Sequence, residues 1–123
     1  MRIKVLKEWK RYLPTVTSIL NDIFKNCKIY VIGSALREAF HAKSDVDLLI
    51  ICRERPMMRE VVTALMKLED IGIPKIFQLH VGDREDLDRY RSLGEVVPLE
   101  ELLPPEENLK GRNSASSDKE SNG

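Results

Sequence analysis

The sequence predicts an α/β (α+β) domain in which a small sheet of about three core strands is flanked by helices. Three observations predict it. Runs rich in β-branched and aromatic residues recur at 28–32, 45–52 and 75–81, the composition of strands. Before and between them, apolar residues return at helical spacing. The chain has 123 residues, enough for one domain with one core and not for two.

Residues 3–13 read as a helix, with Val5, Leu6, Trp9, Tyr12 and Leu13 on one face and Lys4, Lys7, Lys10 and Arg11 on the rest. Pro14 interrupts it. A second helix over 15–25 carries Val16, Ile19, Leu20, Ile23 and Phe24 as a core-facing stripe. Strand Lys28–Ile32 follows and ends at Gly33. Ser34 then opens a short helix over 34–41, and His41–Ser44 is a loop. The strand Asp45–Cys52 is apolar on both faces after Asp47, which places it in mid-sheet under helices. Pro56 starts a helix that ends near Asp70, with Gly72 as the stop. Arg53, Arg55 and Arg59 follow the strand at its far end from the aspartates and read as surface charge. On the strand Lys75–Val81, Phe77, Leu79 and Val81 share one face, and Ile76, Gln78 and His80 the other. A short polar helix over 83–91 and a last segment over 96–103 complete the domain, taken as residues 1–105. Residues 106–123 hold one sizeable apolar residue, Leu109. They cannot offset their ordering entropy and are expected to be a disordered tail.

Composition excludes several classes. Basic and acidic residues number 20 each, so net charge gives no general argument for a nucleic-acid or anionic-membrane partner, and leaves nucleic acid open. The charge is unevenly spread: residues 1–60 hold 12 basic and 7 acidic side chains, residues 81–123 hold 6 and 11. No apolar stretch approaches the ~20 residues of a membrane span, so none is expected, and the N-terminus is too charged for a secretory signal to be expected. Cys27 and Cys52 lack metal-ligand spacing; reduced, buried thiols in a cytoplasmic protein are expected.

The chemistry concentrates between Gly33 and Ile51. Asp45 and Asp47 are two apart, so on a strand they project from the same face. Two carboxylates at the lip of a buried strand are costly unless a cation lies between them. Hard oxygen donors suit Mg²⁺. Gly33-Ser34, at a strand-to-helix junction, reads as a phosphate cradle, because a helix start offers unpaired N–H groups to an anion. An ordinary turn with an N-cap serine is the competing reading.

Gly33-Ser34, ten intervening residues and Asp45-Val46-Asp47 resemble the signature of the DNA polymerase beta-like nucleotidyltransferase superfamily. Within it, the chain is most similar to the small stand-alone, "minimal" nucleotidyltransferase domains of archaea and bacteria. The resemblance spans about residues 15–92. Arg37 falls where those proteins often carry an Arg, and Ser44 precedes the first Asp as it usually does there. Glu38 departs from the Gly that commonly follows the Arg.

The resemblance implies a small mixed sheet. It implies two Mg²⁺ ions held by Asp45 and Asp47, with Gly33, Ser34, Arg37 and Ser44 around the nucleotide. A nucleoside monophosphate would pass from a nucleoside triphosphate, ATP foremost, to an acceptor hydroxyl, with release of pyrophosphate. The family's third carboxylate belongs on the next core strand, where this chain has Gln78. An amide carbonyl can reach a metal but cannot act as a base. Asp83 and Glu38 are candidate substitutes, and His80 a candidate proton acceptor. The alternative is therefore a catalytically impaired nucleotide–Mg²⁺ binding module or partner subunit. Some minimal nucleotidyltransferases pair with an all-helical toxin. A partner chain that supplies the acceptor is expected for so short a domain, and homo-oligomers remain open.

Overall fold

The computed structural model describes residues 2–41 and 43–104. The expected tail from Glu106 onward lies outside them.

Four strands form one mixed sheet in the order β3-β2-β1-β4. They are β1 (Cys27–Ile32), β2 (Val46–Cys52), β3 (Phe77–Gly82) and β4 (Val96–Pro98). β1 pairs antiparallel with β2 and with β4. β2 pairs parallel with β3. Three strands match the expected core, and the last predicted segment supplies the short edge strand. Four α-helices accompany the sheet: α1 (Arg2–Lys7), α2 (Leu13–Ile23), α3 (Met58–Asp70) and α4 (Arg84–Ser92).

The alternation along β2 divides the core. Val46, Leu48 and Ile50 are fully buried and join Leu6, Trp9, Leu13, Val16 and Leu20 from the N-terminal segment and Val61, Ala64 and Leu68 from α3. On the other face Leu49 packs with Tyr30, Ile32 and Leu87 of α4. Both faces of β2 are therefore covered, as its unbroken apolar run requires. Gly82 allows α4 to close on the sheet: a Cβ there would lie 2.8 Å from Leu49 Cδ1 and from Asp86 Oδ2.

Several elements differ from expectation. The helix expected over 3–13 is α1 followed by a 3₁₀ turn, Trp9–Tyr12. Pro14 does not separate two helices but sits in the first turn of α2, where its missing N–H has no helical partner to lose. The helix expected over 34–41 is a 3₁₀ turn, Gly33–Arg37, ended by Glu38 in the left-handed region at φ 54°. Helix α3 begins two residues after Pro56, at Met58, with the Met57 N–H donating to Glu60 Oε1 at 2.8 Å. Ile76 precedes β3 and is buried in the α1–α3 core, away from the face of Gln78 and His80.

The cysteine expectation is corrected too. Cys27 and Cys52 stand opposite each other in the β1–β2 register and are joined by a disulfide. They are half-buried. The sequence separation of 25 residues concealed that the strand ends meet. No helix among the described residues is long and apolar enough to cross a membrane.

Candidate active site

The β1–β2 register brings the two halves of the sequence motif together. Ile32, the last residue of β1, pairs with Asp47. Gly33 follows at φ +80°, and a Cβ built on it would lie 3.7 Å from Asp47 Oδ2. Glycine at this position supplies a left-handed backbone and leaves the space beside the carboxylate open. The Gly33 N–H donates to Glu95 O at 3.1 Å. It is spent inside the fold rather than offered to a ligand. With only a 3₁₀ turn after it, the anion argument drawn from a helix start does not apply here. The Ser34 hydroxyl and the later N–H groups of the turn remain as candidate donors to a phosphate.

Asp47 also faces β3. In the parallel register it pairs with Gln78, and Leu49 pairs with His80. Registered neighbours share a face, so Asp47, Gln78 and His80 stand on the α4 side of the sheet. His80 Nε2 lies 3.1 Å from Asp47 Oδ1. An ionised carboxylate only accepts, so Nε2 carries the proton in this contact. His80 is 40% and Asp47 31% exposed at the side chain, so the pair is open to solvent and to a ligand.

Asp45 precedes β2 and has a different neighbour. The Arg2 guanidinium donates to Asp45 Oδ1, to Ser44 O at 2.7 Å and to Lys75 O at 2.9 Å. Arg2 thus ties the start of α1 to the loops that lead into β2 and β3. Ser44 is buried, and its Oγ accepts the His41 N–H at 3.0 Å. Its contact in the fold is with the turn before Asp45. Arg37 is exposed and forms an ion pair with Glu95, on the chain leading into β4.

The structure therefore gathers Gly33, Ser34, Asp47, Gln78 and His80 at one end of the sheet, with Asp45 at the rim under Arg2. It does not bring in the proposed substitutes for a third carboxylate. Asp83 caps α4 at the opposite end of β3, its Oδ1 accepting the Asp86 N–H at 3.0 Å. Gln78 to Gly82 is four strand steps, about 13 Å. Glu38 points to Lys10, 3.4 Å away. Arg53, Arg55 and Arg59 lie past the far end of β2, as expected. Arg2 was not foreseen. Nothing local to Met1–Lys4 signals a contact 43 residues distant.

A family model described as "Polymerase beta, Nucleotidyltransferase" matches residues 15–96. The chain belongs to this family. The matched span runs from α2 through the first residue of β4 and includes every gathered residue. No curated protein matches the chain. Among solved structures, a toxin–antitoxin crystal structure with AMP-PNP is similar at TM-score 0.56 and 17% identity, covering 71% of each chain. A nucleotidyltransferase candidate from Sulfolobus solfataricus is similar at TM-score 0.48 and 18% identity, covering 76% of this chain and 85% of that one. At 17% identity the likeness to the toxin–antitoxin structure speaks for the fold alone. The mixed sheet flanked by helices is the nucleotidyltransferase fold, and the general reaction class follows from family membership.

By donor class the family's Mg²⁺ fits these residues, with Asp45 Oδ1 engaged by Arg2 and Asp47 Oδ1 by His80. Asp45, Asp47 and the Gln78 carbonyl offer hard oxygens only, the donor class Mg²⁺ takes. Mg²⁺ commonly uses one or two carboxylates and completes its shell with water and substrate phosphates. Among the described residues no group of three or more His, Cys, Asp or Glu could hold a metal ion.

Proposed function

We propose that the protein is a Mg²⁺-dependent nucleotidyltransferase that moves a nucleoside monophosphate, from ATP foremost, to an acceptor hydroxyl and releases pyrophosphate. The observation that carries this reading is the juxtaposition of Asp47 with the Gly33-Ser34 turn across β1–β2. A carboxylate beside an open, glycine-lined turn suits a metal-bound triphosphate better than it suits a core.

Bound Mg²⁺ would supply neutralisation of phosphate charge and a lowered pKa for the acceptor hydroxyl. The chain supplies the rest. Asp45 and Asp47 are the charged oxygen donors, and the Gln78 carbonyl is a neutral third. The Ser34 hydroxyl and the turn backbone hold the phosphates. Arg37, released from Glu95, reaches the same anion. Ser44 sets the approach of Asp45 through its bond to His41. His80, held by Asp47 through Nε2, keeps Nδ1 free to accept a proton near the acceptor.

The acceptor is proposed to lie on a partner chain, in the manner of an all-helical toxin. The similarity to a toxin–antitoxin structure that contains AMP-PNP supports this. The proposed setting is the cytoplasm, with the nucleotide pool.

Gln78 favours a second reading: a nucleotide–Mg²⁺ binding module that has lost turnover. It stands beside Asp47 where the resemblance places a carboxylate. The test is transfer of label from α-³²P-ATP with Mg²⁺, alone and with candidate acceptors, beside thermal shift. Transfer that Asp45→Asn and Asp47→Asn abolish supports the enzyme. A thermal shift with no transfer to any acceptor supports the binding module. No shift and no transfer sink both.

A further inference from the structure

Helix α3 carries two apolar stripes, and among the described residues only one has a partner. Val61, Ala64 and Leu68 face the core. A second set, Met58, Val62, Leu65 and Met66, recurs at i, i+4, i+7 and i+8 along the outer side. Its members are 73%, 45%, 42% and 59% exposed. A contiguous apolar stripe of this kind on a surface helix marks an interaction face. Beside it lies a cavity of about 330 Å³ lined by Leu65, Leu68, Ile73, Pro74 and Phe77 among others.

The charges at the two ends of the stripe are opposite. Arg55 and Arg59 stand at the N-terminal end, Glu69 and Asp70 at the C-terminal end. Among the described residues, Arg55, Arg59 and Asp70 enter no salt bridge. Among those residues Glu69 meets only Lys75, at 3.4 Å and largely in solvent. On a helical projection Leu65, Met58, Val62 and Met66 follow one another around the stripe. Arg59 and Glu69 flank Val62 and Met66, about 15 Å apart along the axis.

We propose that α3 is the interface of a homodimer, two copies packing antiparallel about a two-fold axis near residue 64. The pattern is self-complementary under that operation. Val62 of each copy meets Met66 of the other, and Arg59 of each meets Glu69 and Asp70 of the other. A face that complements itself across a two-fold closes as an isologous dimer. The charges fix the antiparallel register, since parallel packing would set Arg59 against Arg59. The contact leaves the candidate active site free, because Asp47, Gln78 and His80 lie on the α4 side of the sheet.

Sedimentation velocity on the full chain across a concentration series tests this. Wild type should show a concentration-dependent dimer, and Val62→Asp/Met66→Asp a monomer with unchanged circular dichroism. Arg59→Glu alone, and Glu69→Arg/Asp70→Arg alone, should each weaken self-association roughly tenfold or more. Mixed one to one, these two variants should recover the dimer. The new glutamate at position 59 of one copy then faces the new arginines at positions 69 and 70 of the other, and the second contact keeps its native pairing of Arg59 with Glu69 and Asp70. A wild type monomeric throughout, as expected if a different helical chain covers the stripe, overturns the proposal. So does a dimer indifferent to Val62→Asp/Met66→Asp, or a mixture that fails to recover.

Discussion

Arg2 and Asp45 form an ion pair that closes the rim of the candidate active site, and the same guanidinium holds the carbonyls of Ser44 and Lys75. One side chain therefore serves as counterion for a proposed metal ligand and as a clasp between the loops before β2 and β3. Both partners are more than a third exposed, 37% and 38% at the side chain, so the pair competes with water and is worth only about 0.2–1 kcal/mol. A divalent cation can displace it.

Removing the competitor should strengthen metal binding. For Arg2→Gln, the Mg²⁺ midpoint for the ATP-induced thermal shift is expected to fall by about 1.4- to fivefold, the equivalent of that pair energy. The metal-free protein should melt slightly earlier, because the two carbonyls lose their donor. An unchanged or higher Mg²⁺ midpoint would show that Arg2 does not hold Asp45 away from metal.

Gln78 offers a reciprocal test. It registers with Asp47 on β3, so Gln78→Glu sets a second carboxylate beside the first. Without Mg²⁺ the like charges should lower thermal stability, and with Mg²⁺ the sign should reverse. Mg²⁺ affinity should rise by about tenfold, and label transfer should appear or increase if the missing charge limits turnover. A variant destabilised equally with and without Mg²⁺ would remove Gln78 from the metal site.

What the sequence revealed of this site follows from what is local. Gly33, Ser34 and Asp47 were legible because strand alternation and the end of an apolar run are short-range signals, and β1 and β2 are joined by a short connection. The face shared by Gln78 and His80 was legible for the same reason. Arg2 was not, because its contact depends on where α1 lands on the sheet. Asp83 looked available because it is near Gln78 in sequence, but β3 runs parallel to β2 and carries it to the other end. The segment 34–41 looked helical, yet Glu38 in a left-handed conformation ends the turn after Gly33. Cys27 and Cys52 looked unrelated until antiparallel pairing made them opposite residues.

The acid limb of stability should depend on α4. Asp86 is held below the ordinary carboxylate range, first by the backbone N–H of Asp83 and then by Arg89, whose own pKa is raised by the same contact. A depressed folded-state pKa means that the stabilisation is present above the ordinary carboxylate range and is lost as pH falls through the lowered value. Asp86→Asn should therefore flatten the fall in melting temperature over that range and leave the neutral-pH site chemistry alone. An acid limb identical to wild type would refute the assignment.

The disulfide should act on stability and leave the site intact. Cys27 and Cys52 close β1 against β2 at the end of the sheet away from Asp47, since Cys27 pairs with Cys52 and Ile32 with Asp47. Cross-linking residues 25 apart restrains the unfolded chain by about 3.5 kcal/mol on a chain-entropy estimate. For a domain of this size each kcal/mol moves the melting temperature by about 4–8 °C. Reduction, or Cys27→Ala/Cys52→Ala, should therefore lower it by roughly 14–28 °C. The ladder from Ile29 to Ile32 needs no cross-link, so Mg²⁺–ATP should still bind at temperatures below the new midpoint. If reduction abolishes the nucleotide-induced shift while the fold persists by circular dichroism, the bond would instead be coupled to the site along β2.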